Sequence, residues 1–130
     1  PKYLWRVTHS GSRSWRDPTT GDLIAADRAR SFSDEADLKQ AISHHIDWWN
    51  RQPNCFLSVF SDERHARNWA EQRDRTSPTY IHKIDTTMLP TDACLFDLNW
   101  ISVTLGISHP FASHEFLILH HVSARSIIST

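Results

Sequence analysis

The chain has 130 residues, a net charge of −1, 39% hydrophobic residues and 22% charged ones. These values describe one ordinary globular domain over residues 1–130 that folds without disulfides or a structural metal, because a chain of this size buries about two-thirds of its unfolded surface. They exclude a broad basic face for nucleic acid. They leave room for a small phosphate-bearing ligand, since arginine outnumbers lysine and grips phosphates bidentately.

In chain order, Tyr3 to Thr8 reads as a strand with Tyr3, Trp5 and Val7 on one face and Leu4, Arg6 and Thr8 on the other. Two readings of Arg6 stay open: an edge-strand cation in water, or an arginine aimed into a cleft at an anion. His9 to Ser14 is a polar loop whose glycine and serines let backbone N–H groups approach a ligand. With three glycines in the chain, neither a Walker A loop nor GxGxxG is present. Trp15 to Arg30 reads as loop, with a short element at Leu23–Ala26.

Ser33 is expected to cap a helix running to about Arg51, with Leu38, Ala41, Ile42, His45, Ile46 and Trp49 as its apolar stripe. His44 and His45 face different ways on such a helix, so they read as surface or semi-buried side chains rather than metal ligands. Phe56 to Phe60 suits a buried strand. Ser61 is expected to cap the helix that follows, whose Ala66, Trp69 and Ala70 fall on one face. Thr79 to Asp85 alternates as a strand and Ala93 to Asp97 as another. Asn99 to Gly106 is ambiguous between strand and short helix. Glu115 to Val122 reads as one apolar strand headed by a carboxylate, and Arg125 to Ile128 as the last strand. The order gives an α+β domain with its helices in the N-terminal half and a β-rich C-terminal half.

Cys55 and Cys94 match no zinc spacing and read as buried free thiols of a reducing compartment. No apolar run approaches the ~20 residues that span a bilayer, and no signal peptide opens the chain. The expectation is an intracellular domain without membrane contact. Its opening at Pro1, already close to a strand, fits excision from a longer chain. His114-Glu115 is not followed by a histidine at the HExxH position, which holds Ile118, so no metal site is expected.

Arg6 on the first strand, Ser58-Val59-Phe60 before a helix and Glu115 at the head of a late strand form an ordered set. In these residues the chain resembles the arginine–serine–glutamate branch of the ADP-ribosyltransferase superfamily, over Tyr3 to Ile128. It departs in the serine motif, where Ser58 alone matches, and two residues before the glutamate, where Ser113 stands in place of Glu or Gln. The resemblance implies a split β-sheet or β-sandwich core and the use of NAD as substrate. It implies Glu115, Arg6 and Ser58 as catalytic residues, with Arg6 on the NAD phosphates and Ser58 on the nicotinamide ribose. Thr8, His9 and Ser10 would offer groups to the nicotinamide, and Phe60 would stack on its ring. The acceptor stays open among protein, nucleic acid and water. So do an NAD glycohydrolase and an inactive binding module of the same fold.

Overall fold

The computed structural model describes residues 1–9, 11–12, 14–47, 53–73, 78–108 and 113–130. Nine strands and three helices are formed by these residues, and every strand pairing is antiparallel. β1 (Tyr3–Thr8), β4 (Phe56–Phe60), β5 (Tyr80–Asp85), β6 (Leu95–Asp97), β7 (Glu115–Leu119) and β9 (Ile127–Ser129) make a six-stranded sheet in the order β6-β7-β4-β1-β5-β9. β2 (Ser14–Arg16), β3 (Leu23–Ala25) and β8 (His121–Val122) make a second sheet in the order β2-β3-β8. The α+β class expected from the sequence holds, but the helices are not confined to the N-terminal half, because Leu98–Leu105 is helical.

Strand alternation sorts the large sheet's side chains into two cores. Leu4, Leu57, Val59, Ile84 and Ile118 pack with Leu23, Ala25 and Val122 of the second sheet. The opposite face is covered by helices. Phe56 and Leu117 pack against α1 (Glu35–Ile46) and α3 (Leu98–Leu105), while Val7 and Phe60 pack against Ala66 and Ala70 of α2 (Glu63–Arg73). Each fully buried large aliphatic side chain here contributes roughly 1.5–3 kcal/mol.

Both expected helix caps lie one residue early. Asp34, not Ser33, accepts the amide of Asp37. Asp62, not Ser61, accepts the amide of His65 at 2.8 Å. A carboxylate is the stronger acceptor at the positive end of a helix. Ser61 is still held by the strand, its amide bonded to the His114 carbonyl at 2.8 Å. Asp97 caps α3 and Gly106, at φ 72°, ends it, so the ambiguous stretch is helical.

Three further departures have local causes. Ser14–Arg16, expected in loop, is a strand because it pairs with Leu23–Ala25. The strand expected over Glu115–Val122 breaks at His120, whose φ of 69° turns the chain from the large sheet into the small one. Cys55 is buried as expected, but Cys94 is exposed, because it leads into β6 at the sheet edge. The helix expected to run to about Arg51 ends at Ile46, because Asp47 is already extended at φ −82° and ψ 109°; 48–52, Trp49 of the expected stripe included, lie outside the described residues.

Candidate functional site

Ser58 is the one polar side chain in a strand of buried apolar residues, flanked by Phe56 and Phe60 on the helix-covered face. Phe60 lies opposite Glu115 and Ser58 opposite Leu117, which makes Ser58 and Glu115 diagonal neighbours on one face. Ser58 Oγ donates to Glu115 Oε2 at 2.9 Å. Burial pushes the Glu115 carboxyl above its ordinary range, against the pull of the Ser58 hydrogen bond and the Arg6 charge.

Arg6 arrives from the neighbouring strand. β1 and β4 are in register at Trp5 and Phe60. Close to that pair, Arg6 Nη1 donates to the Ser58 carbonyl at 2.9 Å, and Nη2 donates to Ser14 Oγ at 2.8 Å. The guanidinium therefore ties the seam of the large sheet to β2 of the small one. Its Nε is buried without a hydrogen-bond partner. Burial pushes Arg6 down to about 10, with Glu115 acting in the opposite direction, and it stays charged at neutral pH. Among the described residues the ion pairs are Arg30–Asp37 and Arg67–Glu63, so Arg6 and Glu115 act on each other through space.

A residue that sequence reasoning left aside completes the group. His45, from the buried stripe of α1, places Nε2 at 2.6 Å from Ser58 Oγ and Nδ1 at 2.7 Å from Asn54 Oδ1. The Phe56 amide donates to that same Asn54 oxygen at 2.8 Å. The signal was present in the sequence: a histidine in the apolar stripe of a helix must find a polar partner where it is buried.

The residues expected at the nicotinamide divide. Thr8 and His9 line a cleft of about 570 Å³ between the ends of β1 and β5 and the small sheet, together with Ser14, Trp15, Tyr80 and His82. Thr8 Oγ1 lies 3.0 Å from His82 Nε2. Desolvation, then the Arg16 and Arg6 charges, push His82 down to about 4, so the floor of this cleft is neutral imidazole in a positive field. Ser10 lies outside the described residues. Phe60 is buried, its ring against His65 and Trp69, and it faces the α2 core rather than the cleft. Glu115, Ser58 and Arg6 do not line this cleft; Ser14, which does, connects it to Arg6. Among the described residues no group of three or more His, Cys, Asp or Glu side chains could hold a metal ion, and no helix is long and apolar enough to cross a membrane.

Comparison with curated proteins and with solved structures finds no match. A family model described as a domain of unknown function matches residues 1–130 from end to end, and the chain belongs to that family, DUF7587.

Proposed function

We propose that the domain is an NAD-dependent mono-ADP-ribosyltransferase built on an ADP-ribosyltransferase-like split sheet, with Glu115, Ser58 and Arg6 as its catalytic residues. The observation that carries this reading is the hydrogen bond from Ser58 to Glu115 beside the buried Arg6 guanidinium. Three residues from three adjacent strands meet there, although 52 and 57 positions separate Ser58 from the other two.

The chemistry suits the residues. Cleavage of the bond between ribose C1′ and the nicotinamide nitrogen sends the electron pair to nicotinamide, which leaves neutral. The ribosyl group becomes oxocarbenium-like, as in glycoside hydrolysis. The Glu115 carboxylate stabilises that charge, and its low-polarity surroundings strengthen the effect. The acceptor then adds at C1′ and loses a proton. Two of the five N–H donors of Arg6 are engaged with Ser58 and Ser14, which leaves the remaining Nη hydrogens as donors for diphosphate oxygens. The adjoining cleft, with Trp15 and Tyr80 exposed at its walls, offers aromatic faces to a planar ring.

Incubation with NAD and measurement of nicotinamide release tests the proposal, with Glu115→Ala as control. Release that Glu115→Ala abolishes is the expected result. Release that survives the substitution removes Glu115 from the site. Free ADP-ribose formed without an acceptor assigns the domain as a glycohydrolase, and no release with any acceptor class assigns it as a binding module.

A further inference from the structure

The proton that an acceptor loses as it bonds to C1′ needs a recipient. Arg6 is a cation with donors only, and Glu115 serves best as the anion facing the oxocarbenium-like carbon. Two further titratable side chains lie at the end of the large sheet where Glu115 stands. His65, in the first turn of α2, packs on Phe60 with ring centroids 5.0 Å apart, and His114 lies 5.9 Å from His65. Both ends of this row of three rings adjoin Glu115, Phe60 across the ladder and His114 along the chain.

Along a regular strand successive side chains point to opposite faces, which would turn His114 away from Glu115. His114 is instead left-handed, at φ 64°, a conformation few residues other than glycine adopt. Its carbonyl is held by the Ser61 amide at 2.8 Å. Its ring comes up to His65 of α2, on the face that Glu115 shares with Ser58 and Phe60. The turn thus puts an imidazole and a carboxylate on one side of the sheet from consecutive positions. Ring nitrogens of His9, His45, His82 and His120 are tied to neighbours. Those of His65 and His114 have no hydrogen-bond partner among the described residues, and both side chains are exposed. Asp62 is committed to the His65 amide at 2.8 Å. That bond, and then the His114 charge, hold its carboxyl below the usual carboxylate range, which makes it a poor base.

We propose that His114 is the catalytic base that takes the acceptor's proton, and that the acceptor is a neutral hydroxyl. The bond from C1′ to the nicotinamide nitrogen breaks with its electron pair going to nicotinamide. The hydroxyl oxygen bonds to C1′, and its proton passes to a ring nitrogen of His114, which later returns it to water. A neutral hydroxyl brings a lone pair and becomes acidic only as the new bond forms, so a base working near neutral pH is matched to it. His65, itself backed by Phe60, is the ring against which the His114 imidazole rests. The role rests on the NAD reading above.

Methanol serves as the probe hydroxyl, with nicotinamide and O-methyl ADP-ribose measured together, and the wild type is expected to form both. His114→Gly suits the left-handed turn and so preserves it. It is expected to lower kcat for the O-methyl product by about 100-fold, with KM for NAD within about twofold. Added imidazole is expected to restore part of that rate and to leave Glu115→Gln inactive. His114→Asn, which also tolerates the turn, is expected to show the same loss and serves if the glycine variant does not fold. An unchanged kcat in both variants, or a loss confined to His65→Phe, overturns the assignment of His114. Nicotinamide release without the O-methyl product overturns the hydroxyl class of acceptor. No release from the wild type with any acceptor overturns the NAD reading and this role with it, so the two failures are told apart.

Discussion

Arg6 and Ser58 stand 52 positions apart in the chain and are joined at 2.9 Å, guanidinium Nη1 to backbone carbonyl. The same guanidinium reaches Ser14 through Nη2, so one side chain spans two sheets with a fork that lysine lacks. Arg6→Lys retains the charge but replaces the two separated Nη donors with a single nitrogen, which weakens the bridge to Ser58 and Ser14. It is expected to lower unfolding free energy by about 1–3 kcal/mol, measured by urea denaturation with an unchanged m-value.

Glu115 is the opposite case, a carboxylate that the fold holds at a cost. Its carboxyl is raised by burial, so the folded state binds a proton more readily than the unfolded chain. Its contribution is fully present below the unfolded pKa and is lost as pH rises through the folded one. Glu115→Gln removes the buried charge and is expected to stabilise the domain by the order of 1 kcal/mol at pH 7. The gain should shrink toward pH 4. Thermal midpoints at the two pH values check this, and stabilisation accompanied by loss of nicotinamide release marks a residue kept for chemistry.

His82 is pushed down to about 4 from an ordinary value near 6.5, first by desolvation and then by Arg16 and Arg6. The unfolded chain therefore takes up the proton first. The stability His82 contributes is present above about pH 6.5 and is lost as pH falls toward 4, a loss of roughly 1–3 kcal/mol. His82→Gln can keep polar contacts to Thr8 and Thr130 and is expected to flatten the pH dependence of unfolding over this window. An equal slope in both proteins would assign the acid sensitivity to other groups.

Cys55 is buried, and desolvation raises its thiol to about 11. Cys94 is exposed. A thiol reagent such as DTNB is expected to titrate one cysteine quickly in the native protein and the second only after unfolding. Cys94→Ser should remove the fast phase.

Much of the architecture was legible because it is local. The alternation of Tyr3 to Thr8 and the apolar run Phe56 to Phe60 give β1 and β4 at the expected bounds, and the stripe from Leu38 to Ile46 gives the buried side of α1. Arg6, Ser58 and Glu115 could be singled out because each breaks the apolar pattern of its own strand. What stayed hidden depends on partners distant in sequence. Ser14–Arg16 has no strand signature and exists through pairing with β3. Phe60 sits at a strand end, where an aromatic ring serves a ligand or a core equally well, and only the placement of α2 decides it. His45 was visible in the apolar stripe, but its connection to Ser58 requires the angle at which α1 crosses β4.

His120 gives the two sheets an asymmetric connection. Its amide holds the Cys55 carbonyl, its own carbonyl takes the amide of Ala25, and its Nε2 lies 2.6 Å from the Arg30 carbonyl. Backbone and side chain of one residue thus fasten the large sheet to the small one where β7 passes into β8. At the far side the connection is a side-chain hydrogen bond, Arg6 of the large sheet to Ser14 of the small one. The two sheets are therefore fastened like a clasp around their shared core, by main-chain bonds at His120 and by a side-chain bond at Ser14.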